Sequence, residues 1–588
     1  MLIRVDHEQR ARERMMRLEQ RNARRRAAGK PTYDLDDWWP VSAAPSEAQT
    51  MILEPGTVIT RAPVADERAG IARNTLIFGI ATGLSRVMGL VREVVASYYF
   101  GTTGRINAFT VAFQVPNLIR ALVADAALSS AFVPVFSDLL EKGERRRAWR
   151  VASSLFWLML LGLTALTALF ILVAPWVIGI FGNPAHHRSL AVGLSRVLFP
   201  IVALLGVSGI VVGILNTYDH FTVPALSPVL WNLAIVAGLA IGVPRASTAN
   251  GKLYVYAAAV LIATFIQVLL PMPWLRGLDR GEERLRIVID WRDPAVARVF
   301  RMMVPVTLGL GLINFNAGVD TYFASRYVNA NVAPTAIQKA FLIYMLPQGM
   351  FSVAIATVLF PRLSRLASRG DLRGVAETVS GGLRQIAFLL APAAVVSAVL
   401  AEPIIRILYQ RGAWLPNQTP VVAGALAAFS AGLVFNGAML MLNRAFFSLQ
   451  SNWIPTYVAL GNLFLNALLD FAFYRLGVWG IPLGTAVCNL VSTVVLFALL
   501  RRRLGRLDGT RIASTVVRVV AACAIVAVVA YEVWRPLDRA AGRSFLGQVA
   551  SLGPALLAAG IAYAVACAAL RVRELQALLS LRSRAARG

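Results

Sequence analysis

The chain is short of cysteine, histidine and acid. Of 588 residues, 3 are cysteine, 4 are histidine and 31 are Asp or Glu, against 58 Lys and Arg. Cys488, Cys523 and Cys567 lie in apolar stretches without CxxC or Cys/His spacing, so neither a disulfide framework nor a zinc site is expected. His7, His186, His187 and His220 fall in a tail or between apolar stretches, with no metal-ligand or triad partner at useful spacing. No GxxxxGK[ST], HExxH or GxSxG occurs, so the common signatures of nucleotide-driven, zinc-dependent and serine-based catalysis are missing. The opening residues carry no apolar run with a small-residue cleavage site, so the first apolar segment is expected to act as its own insertion signal.

What the chain has instead is apolar length. It is 57% hydrophobic, with a mean hydropathy of +0.62. A soluble protein of this size could not bury that much apolar surface, so a polytopic all-α membrane protein is expected. The formal net charge is +27. The basic residues cluster between apolar stretches, which points to anionic lipid headgroups and topology control rather than nucleic acid.

Fourteen apolar segments are expected. Those of the first half run at about 72–99, 106–137, 150–181, 189–217, 222–243 and 252–275. Those of the second half run at about 297–326, 336–366, 376–409, 419–449, 454–475 and 480–502, and two more follow at about 511–534 and 546–571. The gaps after segments two, six, eight and twelve are basic, as are both tails. By the positive-inside rule both termini are then cytoplasmic, which requires an even number of spans.

The two halves repeat. "ALSSAFVPVFSDL", with Pro134, ends segment two, and "AIATVLFPRLSRL", with Pro361, ends segment eight, 227 residues later. Leu215–Asn216 and Leu442–Asn443 end segments four and ten at the same offset. A six-helix unit repeated in one orientation implies two lobes related by an axis along the membrane normal, with a cavity between them. The expected organisation is therefore a basic, partly disordered cytoplasmic extension at 1–70, a first lobe at 71–275 and a basic cytoplasmic linker at 276–296. A second lobe at 297–503, two further helices at 504–575 and a basic cytoplasmic tail at 576–588 complete it. The arginine-rich start of the extension reads as a topology signal or as a contact for anionic lipid or a partner.

Charges inside the first two segments are the sharpest functional signal. An arginine at a helix centre costs roughly 2.5–3.5 kcal/mol on insertion scales. Arg86, Arg92 and Arg120 all lie in such places, with Glu93 beside Arg92, Asn107 and Asp125 in segment two, and Pro116 expected to kink the helix near Arg120. Two readings stand. The charges pair internally and hold two helices together, or they line a water-filled cavity and bind a phosphate or diphosphate through planar, bidentate guanidinium groups. Asp320 and Asp470, inside segments seven and eleven, read as partners of arginines or as ligands of a coupling cation. Gly79, Gly83 and Gly89 give segment one a small-residue face suited to close packing or to hinge motion. Trp176, Tyr218, Trp453 and Trp479 fit an interfacial belt.

The same residues carry a family resemblance. "SRVMGLVRE…FG…NAFTVAFQVPNLIRALVADAALSSAFVPVF" resembles the opening of the MurJ/MviN lipid II flippases, and "LNTYDHFTVPALSPVLWN" and "LPQGMFSVAIATVLFPRLSRLASRG" resemble later blocks of that family. The resemblance covers about residues 71–575. It implies the multidrug/oligosaccharidyl-lipid/polysaccharide exporter fold, with two six-helix lobes in a V around a cationic cavity and a lipid-tail groove at the last two helices. It places the family's cavity arginines on Arg86, Arg92 and Arg120, and its supporting acids on Glu93 and Asp125. Two departures stand out. Asn107 occupies a position that is often acidic, and the helix-eight charges of many members fall on Phe341, Leu342 and Met345. Lys339 and Arg326 are the candidates to supply the missing cation; the alternative for both is the outer water interface.

The expected function is alternating-access translocation of lipid II, or of another polyprenyl-linked glycan, across the bacterial inner membrane. No cofactor is expected beyond a coupling cation or the membrane potential. The expected partners are lipid II, membrane lipids and cell-wall synthesis proteins. A related drug or cation exporter would favour an acidic cavity. A membrane scaffold would depend on residues 1–70, and a membrane glycosyltransferase would need acidic catalytic residues that form no persuasive set here.

Overall fold

A computed structural model describes residues 64–576, apart from 124–126, 182–186, 219, 221, 277, 279–283 and 506. Most of the expected N-terminal extension and nearly all of the C-terminal tail lie outside the described residues, as does Asp125. From Gly70 onward the chain forms one compact unit. It is helical throughout, with no strand among the described residues.

The first lobe comprises α1 (Val64–Phe100), α2 (Ile106–Val123), α3 (Ala127–Glu141), α4 (Arg145–Ile180), α5 (Arg188–Leu198), α6 (Pro200–Thr217), α7 (Thr222–Gly242) and α8 (Ala249–Leu269). The second comprises α9 (Pro294–Phe323), α10 (Ala333–Pro347), α11 (Val353–Ser368), α12 (Leu372–Val399), α13 (Ala401–Tyr409), α14 (Gln418–Ala431), α15 (Leu433–Ser448), α16 (Trp453–Phe473) and α17 (Gly480–Leu504). Two long helices, α18 (Gly509–Ala541) and α19 (Phe545–Ala569), follow. Each of the fourteen expected apolar segments coincides with one helix or with consecutive helical pieces.

Ten of these segments are long and apolar enough to cross a membrane, or eleven when α14 and α15, bent by 43°, count as one span. Each of the other three helical segments contains interior charge: α1 holds Arg86, Arg92 and Glu93, α2 holds Arg120, and α9 holds Asp320. Local chemistry sets several helix starts. Asp293 accepts from Ala295 N at 2.7 Å with Pro294 in the first helical position, so α9 starts slightly earlier than expected. Thr248 and Ser544 cap α8 and α19 in the same way.

The repeat is visible in the packing. In the first lobe α2 packs on α5, and α3 on α6; in the second, α10 packs on α14, and α11 on α15. The pair α4–α6 corresponds to α12–α15, and α7–α8 to α16–α17. Pro134 and Pro361 sit inside the equivalent helices α3 and α11. Asparagines tie equivalent neighbours: Asn232 of α7 donates to Ser85 O of α1 at 3.5 Å, and Asn316 of α9 donates to Asn462 of α16 at 2.8 Å. Two large buried apolar cores form, one in the first lobe that also takes in Val296 and Val299 at the start of α9, and one in the second lobe.

Between the lobes the linker lies along the start of α4. Arg286 N and Asp290 N donate to Ser153 and Ser154 at 3.1 Å, and the Trp157 indole donates to Arg286 O at 3.0 Å. Helices α18 and α19 pair with each other and rest on α12 and α13. Arg406 pairs with Asp538 there, and the Tyr563 hydroxyl donates to Phe388 O at 2.5 Å. Trp176, Trp453 and Trp479 are exposed on the apolar perimeter, whereas Tyr218 is half-buried and accepts from Trp149.

Candidate functional site: a cationic cluster between the lobes

The site is built where α1 and α2 of the first lobe meet α10 of the second. Glu93 sits one residue past Arg92 and accepts from it at 2.7 Å. Its other carboxylate oxygen faces Lys339 Nζ of α10 at 3.4 Å. Ser97, one turn further along α1, donates to Glu93 O at 2.6 Å and accepts from Lys339 at 2.6 Å. The Arg92 guanidinium lies 5.0 Å from the Trp231 ring centre, and the Lys339 ammonium 5.1 Å from that of Tyr409. Aromatic faces are favourable surfaces for such cations once water is excluded.

Lys339 is only 3% exposed, which removes the outer water interface as its place. Arg326 is exposed, in the π-helical turn Ala324–Asn329 that ends segment seven, so of the two candidates it is Lys339 that joins the cluster. One carboxylate thus faces two buried cations, leaving a local charge excess of one. Arg92, Glu93, Thr110, Trp231, Tyr256 and Lys339 help line a cavity of about 30 Å³. That is room for about two water molecules and far too small for a diphosphate headgroup. The site is therefore closed in this conformation.

A row of polar contacts continues from the cluster to the end of the lobe interface. Thr110 and Thr335 hydroxyls lie 2.8 Å apart. Asn107 is 1% exposed; its amide donates to Thr102 O at 2.8 Å and Asn331 O at 2.5 Å, and its carbonyl accepts from Thr335 N at 2.9 Å. Gln418 accepts from Thr102 N at 3.0 Å and donates to Thr103 at 2.9 Å. Ala413 N donates to Tyr98 O at 2.7 Å. Gly412 makes that approach possible, since it has φ +61° and a Cβ there would overlap Tyr98. At the opposite end of segment two, Arg298 of α9 reaches Asp138 at 3.9 Å.

The remaining arginines are placed separately. Neither Arg86 nor Arg120 lines the small cavity. Arg120 binds Asn117 Oδ1 one turn back, at 2.8 and 3.2 Å. Pro116 lies inside the helix Ile106–Val123, one turn before Arg120. Arg86 extends to the second lobe and lies against Gly349. Gly89 packs near Asn232, at 3.9 Å from the position a Cβ would take, while Gly83 faces open space.

A second polar cluster lies within the second lobe. Asp320 of α9 accepts from Asn466 at 2.6 Å and from Thr485 at 3.5 Å, and Asn466 also faces Asp470 at 3.4 Å. Asp470 is fully buried, and its Oδ1 has no hydrogen-bond partner among the described residues. No arginine pairs with either acid among the described residues, so of the two readings of these carboxylates the arginine pairing is the one set aside. No group of three or more His, Cys, Asp or Glu side chains is arranged to hold a metal ion among the described residues.

Several site residues carried no separate signal in the sequence. Ser97, Trp231, Thr335, Tyr409 and Gln418 are ordinary components of apolar helices until the tertiary fold brings them to the charges.

Comparison with known proteins agrees with this architecture. The sequence profile described as "Lipid II flippase MurJ" matches residues 96–539. The chain is 30% identical over 431 residues to the Burkholderia cenocepacia protein "Lipid II flippase MurJ", covering 72% of this chain and 82% of that protein. It is 29% identical over 505 residues to the Rhizobium tropici "Probable lipid II flippase MurJ", covering 84% and 93%. Among solved structures it resembles "Lipid II flippase MurJ, inward closed conformation", with a TM-score of 0.68 at 24% identity, covering 84% of this chain and 99% of that one. It also resembles an inward-facing multidrug MATE transporter of the MOP superfamily, with a TM-score of 0.64 at 18% identity, covering 72% and 96%. With its two repeated lobes and the profile match across most of its length, the chain belongs to the lipid II flippase MurJ family.

Proposed function

We propose that this protein translocates lipid II across the bacterial inner membrane by alternating access. The observation that carries the reading is the cluster of Arg92, Glu93 and Lys339, buried between two repeated lobes with one positive charge in excess. A diphosphate is the anion that such a cavity fits when the lobes part, because guanidinium groups bind its oxygens in pairs. In this proposal Arg86, Arg92 and Arg120 hold the diphosphate and Lys339 adds the charge that segment eight otherwise lacks. The polyprenyl tail stays in lipid beside α18 and α19. The chain has fourteen spans, and both termini are cytoplasmic. The polar row from Tyr98 to Lys339 closes the outer side, and it must separate to release the headgroup.

Coupling belongs to the same proposal. The Asp320–Asn466–Asp470–Thr485 cluster offers hard oxygen donors and one orphaned carboxylate oxygen, which suits a monovalent cation of the sodium type. Membrane potential is the other energy source, at about 2.3 kcal/mol per charge per 100 mV.

A second reading, another polyprenyl-linked glycan as cargo, is favoured by one observation. Phe341, Leu342 and Met345 leave this part of α10 without the charges that the family resemblance implies for segment eight. The experiment is complementation of cells depleted of their own lipid II flippase, comparing wild type, Arg120→Ala and a 1–70 deletion at matched expression. Rescue by wild type and the deletion, with loss in Arg120→Ala, is expected. Failure of well-inserted wild type would move the cargo to another lipid-linked glycan.

A further inference from the structure

Segment eight is interrupted at its middle by the π-helical turn Gln348–Ser352, between α10 and α11. Such turns insert one extra residue, open the helix locally and recur at functional sites. This one is anchored from behind: Gln348 donates to Asn436 of α15 at 3.2 Å, and Asn436 donates to Tyr344 at 2.8 Å. It also leaves polar atoms unused, since Gln348 Oε1 and Ser352 Oγ are buried without a hydrogen-bond partner among the described residues.

Gly349 lies in this turn. Its φ is not positive, so the backbone conformation does not call for glycine. Within a helix, glycine is less favourable than alanine. Its counterpart lies across the interface: a Cβ at Gly349 would fall on the Arg86 guanidinium, overlapping Nη1 and Cζ, so the flexible end of that side chain would have to leave its seat. Arg86 belongs to α1 of the first lobe, so a cation carried by one lobe is received by a notch in the other. Arg86 forms no ion pair with a carboxylate among the described residues, so this notch is what fixes the direction of its charge.

We propose that Gly349 is a positioning residue: the glycine-floored π-turn of segment eight is the seat that holds the Arg86 guanidinium at the lobe interface. The proposal rests on the reading of Arg86 as an anion-binding group, but its first test involves no substrate.

The test is a double-mutant cycle on the purified full chain in detergent, with apparent melting temperature as the readout. Gly349→Ala is expected to lower the melting temperature when Arg86 is present. In an Arg86→Ala background the same substitution is expected to leave it unchanged or raise it, because alanine is the better helix former and the guanidinium is gone. An equal fall in both backgrounds would overturn the proposal, since the glycine would then serve the helix itself. If Gly349→Ala alone fails to insert while Arg86→Ala/Gly349→Ala inserts, the seat is supported; failure of both refutes it. A second readout separates positioning from packing. Binding of undecaprenyl diphosphate to the protein in nanodiscs is expected to weaken about tenfold or more in Gly349→Ala. Unchanged binding would refute the positioning role even if the melting data reverse sign. Failure of wild type to complement a lipid II flippase would instead count against lipid II as cargo and leave the melting cycle untouched.

Discussion

Glu93 serves two buried cations at once, so its removal should hurt far more than removal of either cation's second contact. The side chains of Arg92, Glu93 and Lys339 are 18%, 13% and 3% exposed, so solvent screens them little. Glu93→Gln leaves both cations without a counter-charge, and stripping one partner from a buried pair costs about 3–5 kcal/mol. Lys339→Met keeps the 2.7 Å Arg92–Glu93 bond and removes one desolvated charge. Its loss is the bond to Ser97 and a long contact to Glu93, about 1–2 kcal/mol net, part of which a buried methionine restores. The double variant Glu93→Gln/Lys339→Met should recover about 1–2 kcal/mol of the Glu93→Gln loss, because only one orphaned cation remains. Thermal unfolding of the three purified variants in one detergent measures the order. The expected ranking, from most to least stable, is wild type, Lys339→Met, the double variant, Glu93→Gln. A Lys339→Met protein as unstable as Glu93→Gln, or a double variant worse than both, would refute the charge accounting.

The other predictions concern closure and coupling. Thr110→Cys/Thr335→Cys places thiols where two hydroxyls meet at 2.8 Å, so oxidation should lock the lobes, and complementation should be lost until reductant is added. Asn107→Asp turns a donor facing the Thr102 and Asn331 carbonyls into an acceptor and should cost about 2–4 kcal/mol of closure; faster maleimide labelling of Thr335→Cys in that background is the check. Asp470→Asn and Asp320→Asn should each abolish sodium-dependent thermal stabilisation; a wild type that flips its cargo but shows no cation-dependent shift would remove this cluster from the coupling scheme.

The helices were legible because lipid solubility demands about 20 apolar residues in succession, a signal that survives without tertiary knowledge. The repeat was legible for a related reason, since Pro134 and Pro361 recur at a fixed offset in helices that turn out to pack equivalently. The site was only partly legible. Arg86, Arg92 and Glu93 stood out because charge inside an apolar run is costly. Lys339 and Arg326 were indistinguishable on the same grounds, because helix periodicity does not say which neighbour a face meets. Thr335 and Gln418 bond residues 228 and 316 positions away, so their role exists only in the folded interface. Asp320 and Asp470 were visible as charges, but their partner Asn466 was not, since an asparagine in a helix has no distinctive pattern.

The pairing of α18 and α19 with α12 and α13 has a mechanical consequence. Two membrane-length helices bolted to one half make that half the heavier and broader body in the bilayer. If the halves rock as proposed, drag from the lipid would fall unequally, so the first half would swing further and the second would serve as its platform. A polyprenyl chain lying along α18 and α19 would ride on the platform. Its headgroup would then turn about a nearly stationary tether, as a flag turns on its pole, rather than dragging its tail through the membrane.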